Sequence, residues 1–289
     1  LVDVSDSDTV FLPEGSRQNN HIYLQNIYNI ANDWEVTLGL RHDDYSDFGT
    51  TNNVRAAVVW STSLNLTTKL LYGTAFRAPA FAETSVKSNP VALGNPKLQP
   101  EEIETTEVSF DYRHDADLTF ILSLFRYNWS SIVQFLPQAQ NVGKQVGKGF
   151  EFEFDWDVSN ELNVHGNYSY QDSENRVDYT KTPYAPNHQI TVQLTWDILD
   201  NLHLHSYNKL IAGRARAEAD PRSNIDNYIV SDISLKWQIS DTVEFGLLGK
   251  NIFDTDAREP TENIGSVVYL PGDLPLPERQ LFAEIRYQM

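Results

Sequence analysis

The feature that most restricts the fold of this chain is an alternation of apolar and polar residues with a period of two. In the segment GFEFEFDWDV, every second residue is apolar, namely Phe150, Phe152, Phe154, Trp156 and Val158. The residues between them are all acidic, namely Glu151, Glu153, Asp155 and Asp157. Because the side chains of a β-strand point alternately to opposite faces, this pattern predicts a strand with one apolar and one charged face.

The same alternation recurs along almost the whole chain. In the last segment the residues Leu281, Ala283, Ile285, Tyr287 and Met289 alternate with Phe282, Glu284, Arg286 and Gln288. We predict about thirteen strands, with a further candidate near Thr9–Leu12, and the thirteen are 20–31, 34–46, 51–61, 65–76, 102–113, 117–128, 147–158, 161–172, 187–198, 201–212, 226–239, 242–252 and 279–289. A slip of one residue in any of them would place its charges on the apolar face.

Composition excludes several classes of protein. Hydrophobic residues make up 40% of the chain and the mean hydropathy is −0.43, so no stretch approaches the roughly 18 apolar residues of a membrane-spanning helix. A membrane β-strand needs only every second residue to be apolar, so this does not argue against a barrel. The net charge of −18 makes nucleic acid an improbable partner. Cysteine is absent, which excludes disulfides and thiolate metal sites.

The connections between the predicted strands alternate in length. Short ones are 31–33, 61–65, 114–117, 159–161, 199–201 and 240–242, and the longer ones between them are 46–52, 77–101, 129–146, 173–186, 213–225 and 253–278. Short turns at one end and long loops at the other are typical of an outer-membrane barrel. A soluble sandwich gives no reason for such sorting.

Tryptophan supports the same interpretation. Five of the six tryptophans lie within a few residues of a short turn, namely Trp34, Trp60, Trp156, Trp196 and Trp237. Indole rings favour the interface between lipid headgroups and hydrocarbon, so these residues are predicted to form an aromatic girdle. The alternative is that they fill the core of a sandwich. We therefore predict an all-β fold, an antiparallel transmembrane β-barrel in contact with lipid and lipopolysaccharide.

Several local motifs resemble those of TonB-dependent outer-membrane receptors, in the order that the family has them. The first two are Phe76-Arg77-Ala78-Pro79 and Asn95-Pro96-Lys97-Leu98, and the others are LGLRHDDYSDFG at 38–49, NVGKQVGKGFEFEFDW at 141–156, Tyr184-Ala185-Pro186-Asn187-His188 and KNIFDTDAREP at 250–260. Each motif is weak alone, but together they extend the resemblance from Asn20 to Met289.

The resemblance implies that residues 1–289 form the C-terminal portion of a 22-stranded barrel. An N-terminal plug domain, the first strands and the segment that contacts the TonB complex would then be missing. Counting back from the end, the chain would begin in an extracellular loop, the short turns would be periplasmic, and so would the C-terminus. The family usually ends on an aromatic residue, whereas this chain ends on Met289, with Tyr287 keeping the alternation.

The family resemblance implies active uptake of a scarce ligand, most simply a ferric siderophore. Haem receptors of the family place a histidine between the first two motifs, and the segment from Arg77 to Asn95 has none. Tyr127, Trp129 and Phe135 are predicted to stack on an aromatic metal chelate. Arg214, Arg216 and Arg258 are predicted to meet an anionic one, although ordinary solvated loops would account for both sets. For Arg77, just beyond a strand end, the favoured role is to hold the following loop through hydrogen bonds.

Other functions remain open at this stage. Receptors for cobalamin, haem or another metal chelate share every feature above, and a passive porin shares the barrel but needs no plug. An outer-membrane enzyme would need a catalytic triad, and His165 and Ser169 lie about 13 Å apart along one strand. A soluble carbohydrate-binding sandwich would cover its apolar faces with a second sheet. We predict no enzyme activity, no catalytic residues, no metal site and no cofactor.

Overall fold

The computed structural model describes residues 12–89, 92–218, 220–261 and 270–288. The predicted additional strand near Thr9–Leu12 lies outside the described residues except for Leu12, which is not in a strand. Met289 also lies outside them.

In the described residues, thirteen antiparallel strands form one sheet, and their order in the sheet follows their order in the chain. They are β1 (Asn19–Ala31), β2 (Trp34–Tyr45), β3 (Gly49–Ser63), β4 (Leu66–Arg77), β5 (Glu101–Arg113), β6 (Leu118–Phe135), β7 (Ala139–Ser159), β8 (Leu162–Asn175), β9 (Pro186–Leu199), β10 (Leu202–Arg214), β11 (Tyr228–Ser240), β12 (Val243–Lys250) and β15 (Gln280–Tyr287). The short strands β13 (Arg258–Glu259) and β14 (Leu274–Pro275) pair with each other outside this sheet. The prediction of an all-β fold with thirteen strands is confirmed.

The register of the ladders sorts the side chains onto two faces. Across β6 and β7 the residue pairs Leu122–Phe152 and Leu124–Phe150 share one face, and Ser123–Glu151 lies on the other. We call the first the apolar face and the second the polar face. Leu124 is 45% exposed, whereas Asp43, on the polar face, is fully buried and ion-paired with Arg41 at 2.7 Å.

The sheet has no conventional core. The buried apolar residues among those described are few and scattered, namely Ala57, Leu98, Ala139, Ile211, Ile225, Tyr228 and Ala257. Many large side chains of the apolar face are exposed along the sheet, among them Leu40 at 58% and Ile285 at 74%. An apolar surface of this extent is not stable in water, so it must meet another apolar phase.

The five predicted girdle tryptophans lie at the end of the strands that carries the short turns. Trp34 and Trp60 are paired across β2 and β3, and their rings stack with centroids 5.0 Å apart. Trp156, Trp196 and Trp237 are 44%, 41% and 45% exposed on the same face of the sheet. This arrangement agrees with the predicted girdle, although a headgroup contact stays a prediction.

The short connections are as predicted, but two of the long ones are wrong. Residues 46–52 were expected to form a longer connection, whereas β2 ends at Tyr45 and β3 begins at Gly49, which leaves a short turn at 46–48. Residues 129–146 were expected to form a loop, whereas β6 runs to Phe135 and β7 begins at Ala139. The polar stretch Asn128–Ser131 looks like a turn, but the ladder continues past it through an irregularity between Trp129 and Ile132. Ser131 has a φ of 57°, and this left-handed conformation accommodates the unpaired residues of the bulge between Trp129 and Ile132. These two strands therefore extend far beyond the apolar band.

Two of the other long connections contain regular structure. The connection after β4 holds α1 (Phe81–Ser85), and the one after β12 holds the two-stranded sheet of β13 (Arg258–Glu259) and β14 (Leu274–Pro275). Neither was predicted, because elements of two to five residues are too short to show a periodicity. Within the described ranges, no helix has the length and apolar character that crossing a membrane requires.

Candidate ligand-binding site at the loop end of the sheet

A buried carboxylate organises the junction between the sheet and the connection after β4. Glu101, the first residue of β5, is 2% exposed. Its side chain accepts hydrogen bonds from Arg77, from Nε1 of Trp129 at 3.2 Å and from the backbone N–H of Val133 at 2.8 Å. Arg77 also donates to Glu83 at 2.9 and 3.0 Å. Arg77 therefore ties α1 to β5 through hydrogen bonds, the kind of contact that the favoured structural role requires.

The remaining residues of the first two motifs fix the path of residues 78–100. Pro79 is buried and its carbonyl accepts from Nη2 of Arg17 at 2.7 Å, while Leu98 is 1% exposed. Asn95 donates from its side chain to the carbonyl of Ala139 at 2.9 Å, which ties this connection to the start of β7.

The other three motif positions have smaller parts. Phe76 makes an edge contact with Tyr45 at 5.8 Å between ring centroids. Ala78 is half-buried and Pro96 is exposed. The motifs thus act mainly through packing and hydrogen bonding of the connection, as their proline content suggests.

Of the three aromatic residues predicted to bind ligand, two share a face. Tyr127 and Trp129 lie on the polar face of β6, not in a loop, and both are half-buried. The Oη atom of Tyr127 accepts from Gln145 at 2.8 Å, and its ring covers Gly147, where a Cβ would lie 2.3 Å from ring atoms. Phe135 ends β6 and is 39% exposed. The structure brings Tyr127 and Trp129 together and places Phe135 at the tip of the hairpin.

The predicted arginine cluster is mostly internal. Arg214 is 4% exposed, donates to the carbonyls of Arg258 and Asp226 at 2.9 Å, and lies 5.0 Å from the ring centroid of Tyr228. The Nε atom of Arg214 has no partner among the described residues. Arg258, in β13, pairs with Asp256 at 2.8 Å and donates to the carbonyl of Gly272 at 2.6 Å, but its side chain stays 41% exposed.

A second buried carboxylate, Asp273, anchors the connection after β10. It accepts hydrogen bonds from Arg216, from Arg222 at 3.2 Å and from the backbone N–H of Thr261 at 3.1 Å. The hydrogen bonds from Arg216, opposed by burial, lower the pKa of Asp273 to about 2. Arg222 likewise lowers the pKa of Asp220, to which it donates at 2.6 Å. The network therefore needs both carboxylates ionised.

These arginines fasten two connections to each other. The segment between β10 and β11 supplies Arg216 and Arg222, and the connection after β12 supplies Thr261 and Asp273. Both side chains are buried and bonded within the loop end, which gives Arg214 and Arg216 a structural role. A ligand contact by either one stays a prediction.

Glu101 and Asp273, the two carboxylates that organise this end of the sheet, were missed in the sequence. Glu101 follows Pro100 and reads as an ordinary strand start, while Asp273 follows Pro271-Gly272 and reads as an ordinary turn. The several arginines in the predicted loops were the only signal of such carboxylates, because a buried guanidinium group requires a carboxylate partner.

A single-layer antiparallel sheet with an exposed apolar face, a polar face and sorted connections is the wall of an outer-membrane β-barrel. A family profile described as TonB dependent receptor-like, beta-barrel, matches residues 3–252. The chain belongs to this family, whose barrels reside in the outer membrane. The relatives that it matches are transporters and receptors, not enzymes.

Solved structures of receptors share the fold. The siderophore receptor PirA from Acinetobacter baumannii superposes with a TM-score of 0.76 over 96% of this chain and 47% of its own, at 16% identity. The ferric-catecholate import receptor Fiu from E. coli K12 gives 0.76 over 94% of this chain and 44% of its own, at 18% identity. The chain therefore spans less than half the length of these receptors.

Two curated relatives match in sequence. The vitamin B12 transporter BtuB of Photobacterium profundum is 33% identical over 111 residues, which is 38% of this chain and 17% of that protein. The iron-regulated outer membrane virulence protein of Vibrio cholerae is 22% identical over 266 residues, covering 82% of this chain and 41% of that protein.

Proposed function

We propose that this chain is the C-terminal portion of a 22-stranded receptor barrel that imports a ferric siderophore. The observation that carries this proposal is the sheet of thirteen sequential strands with one apolar and one polar face. Such a sheet can face lipid on its outside and enclose a polar interior. The sheet has two edge strands, β1 and β15, and their unpaired backbone groups would be satisfied by the strands that complete the barrel. In the complete protein, a plug domain would fill the interior and contact the TonB complex, which supplies the energy.

The same wall implies an orientation. The short turns and the C-terminus are proposed to be periplasmic, with the tryptophan girdle in the inner headgroup layer and the long connections extracellular. The extended hairpin of β6 and β7 and the two anchored connections would then project toward the medium, where ligand arrives.

The proposed ligand site combines rigid anchors with exposed groups. Glu101 and Asp273 hold the connections, while Tyr127, Trp129, Phe135 and Arg258 present rings and one cation. Aromatic rings and a guanidinium group suit a planar aromatic chelate. Two of the structural relatives are named as a siderophore receptor and a ferric-catecholate import receptor, which supports this class of ligand.

A cobalamin ligand is the second candidate. The 33% identity to a vitamin B12 transporter over 111 residues favours it, although that match covers only 38% of the chain. A receptor for haem or another chelate and a passive porin are further alternatives that the uptake test separates.

The test is uptake by a deletion strain that expresses the complete receptor. Cells starved of iron receive radiolabelled iron as a catecholate, a hydroxamate or haem, and a parallel culture receives labelled cobalamin. We expect catecholate uptake that stops when the proton gradient is collapsed. Uptake of cobalamin alone would replace the siderophore by the second candidate. Equal, gradient-independent entry of all four compounds would indicate a passive porin and refute the proposal.

The site is tested in the same strain with Tyr127→Ala and Trp129→Ala. Phe125→Ala is the matched control, because Phe125 lies on the same face of β6 but further from the loop end. Loss of uptake in all three variants would indicate a barrel defect and not a ligand contact.

A further inference from the structure

The ring of Tyr127 lies along the sheet instead of standing up from it. Tyr127 and Trp129 occupy successive positions on the polar face of β6, about 7 Å apart along the strand. The cross-strand partner of Tyr127 in β7 is Gly147, and the outer edge of the tyrosine ring, from Cε1 to Oη, covers this glycine. One face of the ring is therefore turned toward the sheet, and the other toward the interior.

This position of the ring depends on the glycine beneath it. Any side chain at Gly147 would collide with ring atoms of Tyr127, and Gly147 is buried because the ring covers it. One step further from the loop end, the ring of Phe125 lies against its own cross-strand partner, Gly149. Packing alone holds Phe125, whereas the ring of Tyr127 ends in a hydroxyl group that needs a hydrogen-bond partner.

Gln145 supplies that partner. Its Nε2 atom donates to Oη of Tyr127 at 2.8 Å. Gln145 precedes Gly147 by two residues in β7 and lies on the same polar face, so its amide holds the tip of the ring over the glycine. Its own cross-strand partner is Trp129, and its side chain is half-buried. Gln145 therefore lies beside both rings of the proposed ligand site.

The indole of Trp129 is held on the other side of β6. Its Nε1 atom donates to Glu101 in β5 at 3.2 Å, whereas the ring of Tyr127 leans toward β7. The two rings thus extend sideways from one strand in opposite directions, and both are half-buried. Rings held in this way offer their faces to the interior, and a planar aromatic group can stack on such a face.

We infer that Gln145 is a positioning residue of the proposed ligand site, and that it selects planar aromatic chelates. The inference rests on the proposed function and deepens it, because it names what sets the preference among chelates. Gln145 contacts the ring of Tyr127 and not the ligand. A ring that is already immobilised loses less side-chain entropy when a ligand stacks on it. Without the amide of Gln145, the hydroxyl loses its partner and the ring gains freedom to leave Gly147.

The experiment compares the complete receptor as wild type, Gln145→Leu, Tyr127→Phe and the double variant. Tyr127→Phe keeps the ring and removes only the hydroxyl, and no substitution changes the net charge. The probes are the gallium complexes of a tris-catecholate and of a tris-hydroxamate, whose affinities are measured by titration calorimetry in detergent. The matched control is Gln171→Leu, which removes an amide from the polar face of β8, opposite Gly149.

We expect Gln145→Leu to bind the catecholate complex about fivefold more weakly, which is the loss that one newly mobile side chain predicts. It should bind the hydroxamate complex like the wild type, because that complex has no aromatic ring to stack. Tyr127→Phe should lose the same factor, and the double variant should lose no more than either single one, because both substitutions remove one hydrogen bond. Gln171→Leu should bind both complexes like the wild type.

A second measurement follows the ring in the absence of any ligand. The receptor is labelled with fluorotyrosine, and the fluorine NMR signal of Tyr127 is identified by its loss in Tyr127→Phe. In Gln145→Leu this signal should narrow, because the ring moves more freely. In the control Gln171→Leu it should keep the width that it has in the wild type.

Three results would overturn the inference. An unchanged affinity of Gln145→Leu for the catecholate complex would show that the amide does not position the ring for binding. Equal weakening for both complexes would indicate a general defect, and weakening by Tyr127→Phe alone would make the hydroxyl a direct ligand contact. A wild type that binds neither complex would contradict the proposed function. In that case a narrowed fluorine signal in Gln145→Leu would still uphold the hold of Gln145 on the ring, and an unchanged signal would refute it.

Discussion

Replacing Glu101 by alanine gives the sharpest test of how the loop end is held. The substitution leaves two half-buried donors without their acceptor, the indole N–H of Trp129 and the backbone N–H of Val133. A hydrogen bond to a charged group contributes about 1.5–3 kcal/mol. Arg77 is discounted, because its side chain is 45% exposed and it keeps Glu83 as a partner. The expected loss is therefore about 3 kcal/mol, borne by the contact of β5 with the end of β6 and not by the whole barrel.

Hydrogen exchange measured by mass spectrometry reads this loss locally. For Glu101→Ala, the peptide covering residues 129–139 should exchange about 100-fold faster, since each 1.36 kcal/mol corresponds to a factor of ten. Residues 78–89 should change less, because Arg77 keeps Glu83 as a partner. Peptides from the short turns should not change. The matched control is Glu102→Ala, whose exposed side chain lies on the opposite face of the same strand. Equal exchange in Glu101→Ala, Glu102→Ala and the wild type would show that Glu101 does not hold the junction.

Three other predictions follow from the same structure. Because the pKa of Asp273 is lowered to about 2, its contribution to the stability of the two connections is complete above about pH 4 and is lost as the pH falls through 2. A spin label attached at Glu218→Cys should therefore become mobile near pH 2. In the variant Asp273→Asn the same label should be mobile at every pH. Gly147→Ala should lower the unfolding midpoint by displacing Tyr127, at a cost of about 1–3 kcal/mol that Tyr127→Leu recovers. Leu122→Arg should lower the free energy of unfolding of the barrel in membranes by about 2–4 kcal/mol, whereas Ser123→Arg, on the polar face, should not.

The strands were predictable because each one carries its own evidence. The alternation around Phe152 sets the faces of β7 without any knowledge of its neighbours, and short turns leave antiparallel pairing as the simplest solution. The extension of β6 beyond Trp129 was not predictable, because outside the apolar band neither face of a strand must be apolar. Polar strand and polar loop then have the same composition, and only the pairing with β7 distinguishes them.

The loop site was less predictable because its energy comes from contacts that are distant in the chain. Arg216 and Asp273 are separated by 57 residues, and nothing near either of them indicates the other. Sequence reasoning therefore treats each arginine as a free cation. Its partner becomes visible only when the two connections are folded against one another.

This pairing changes what the loop end can recognise. Arg214, Arg216 and Arg222 are engaged by carboxylates and carbonyls, so they add little positive potential for an incoming anion. Of the predicted cations, only Arg258 keeps a substantially exposed side chain, and it too faces a carboxylate. Recognition would then depend more on the rings of Tyr127 and Trp129 than on charge, and stacking tolerates both a catecholate and an uncharged corrin. The salt dependence of ligand affinity separates the two mechanisms: recognition by stacking predicts a weak dependence, and a steep one would restore the arginines as ligand contacts.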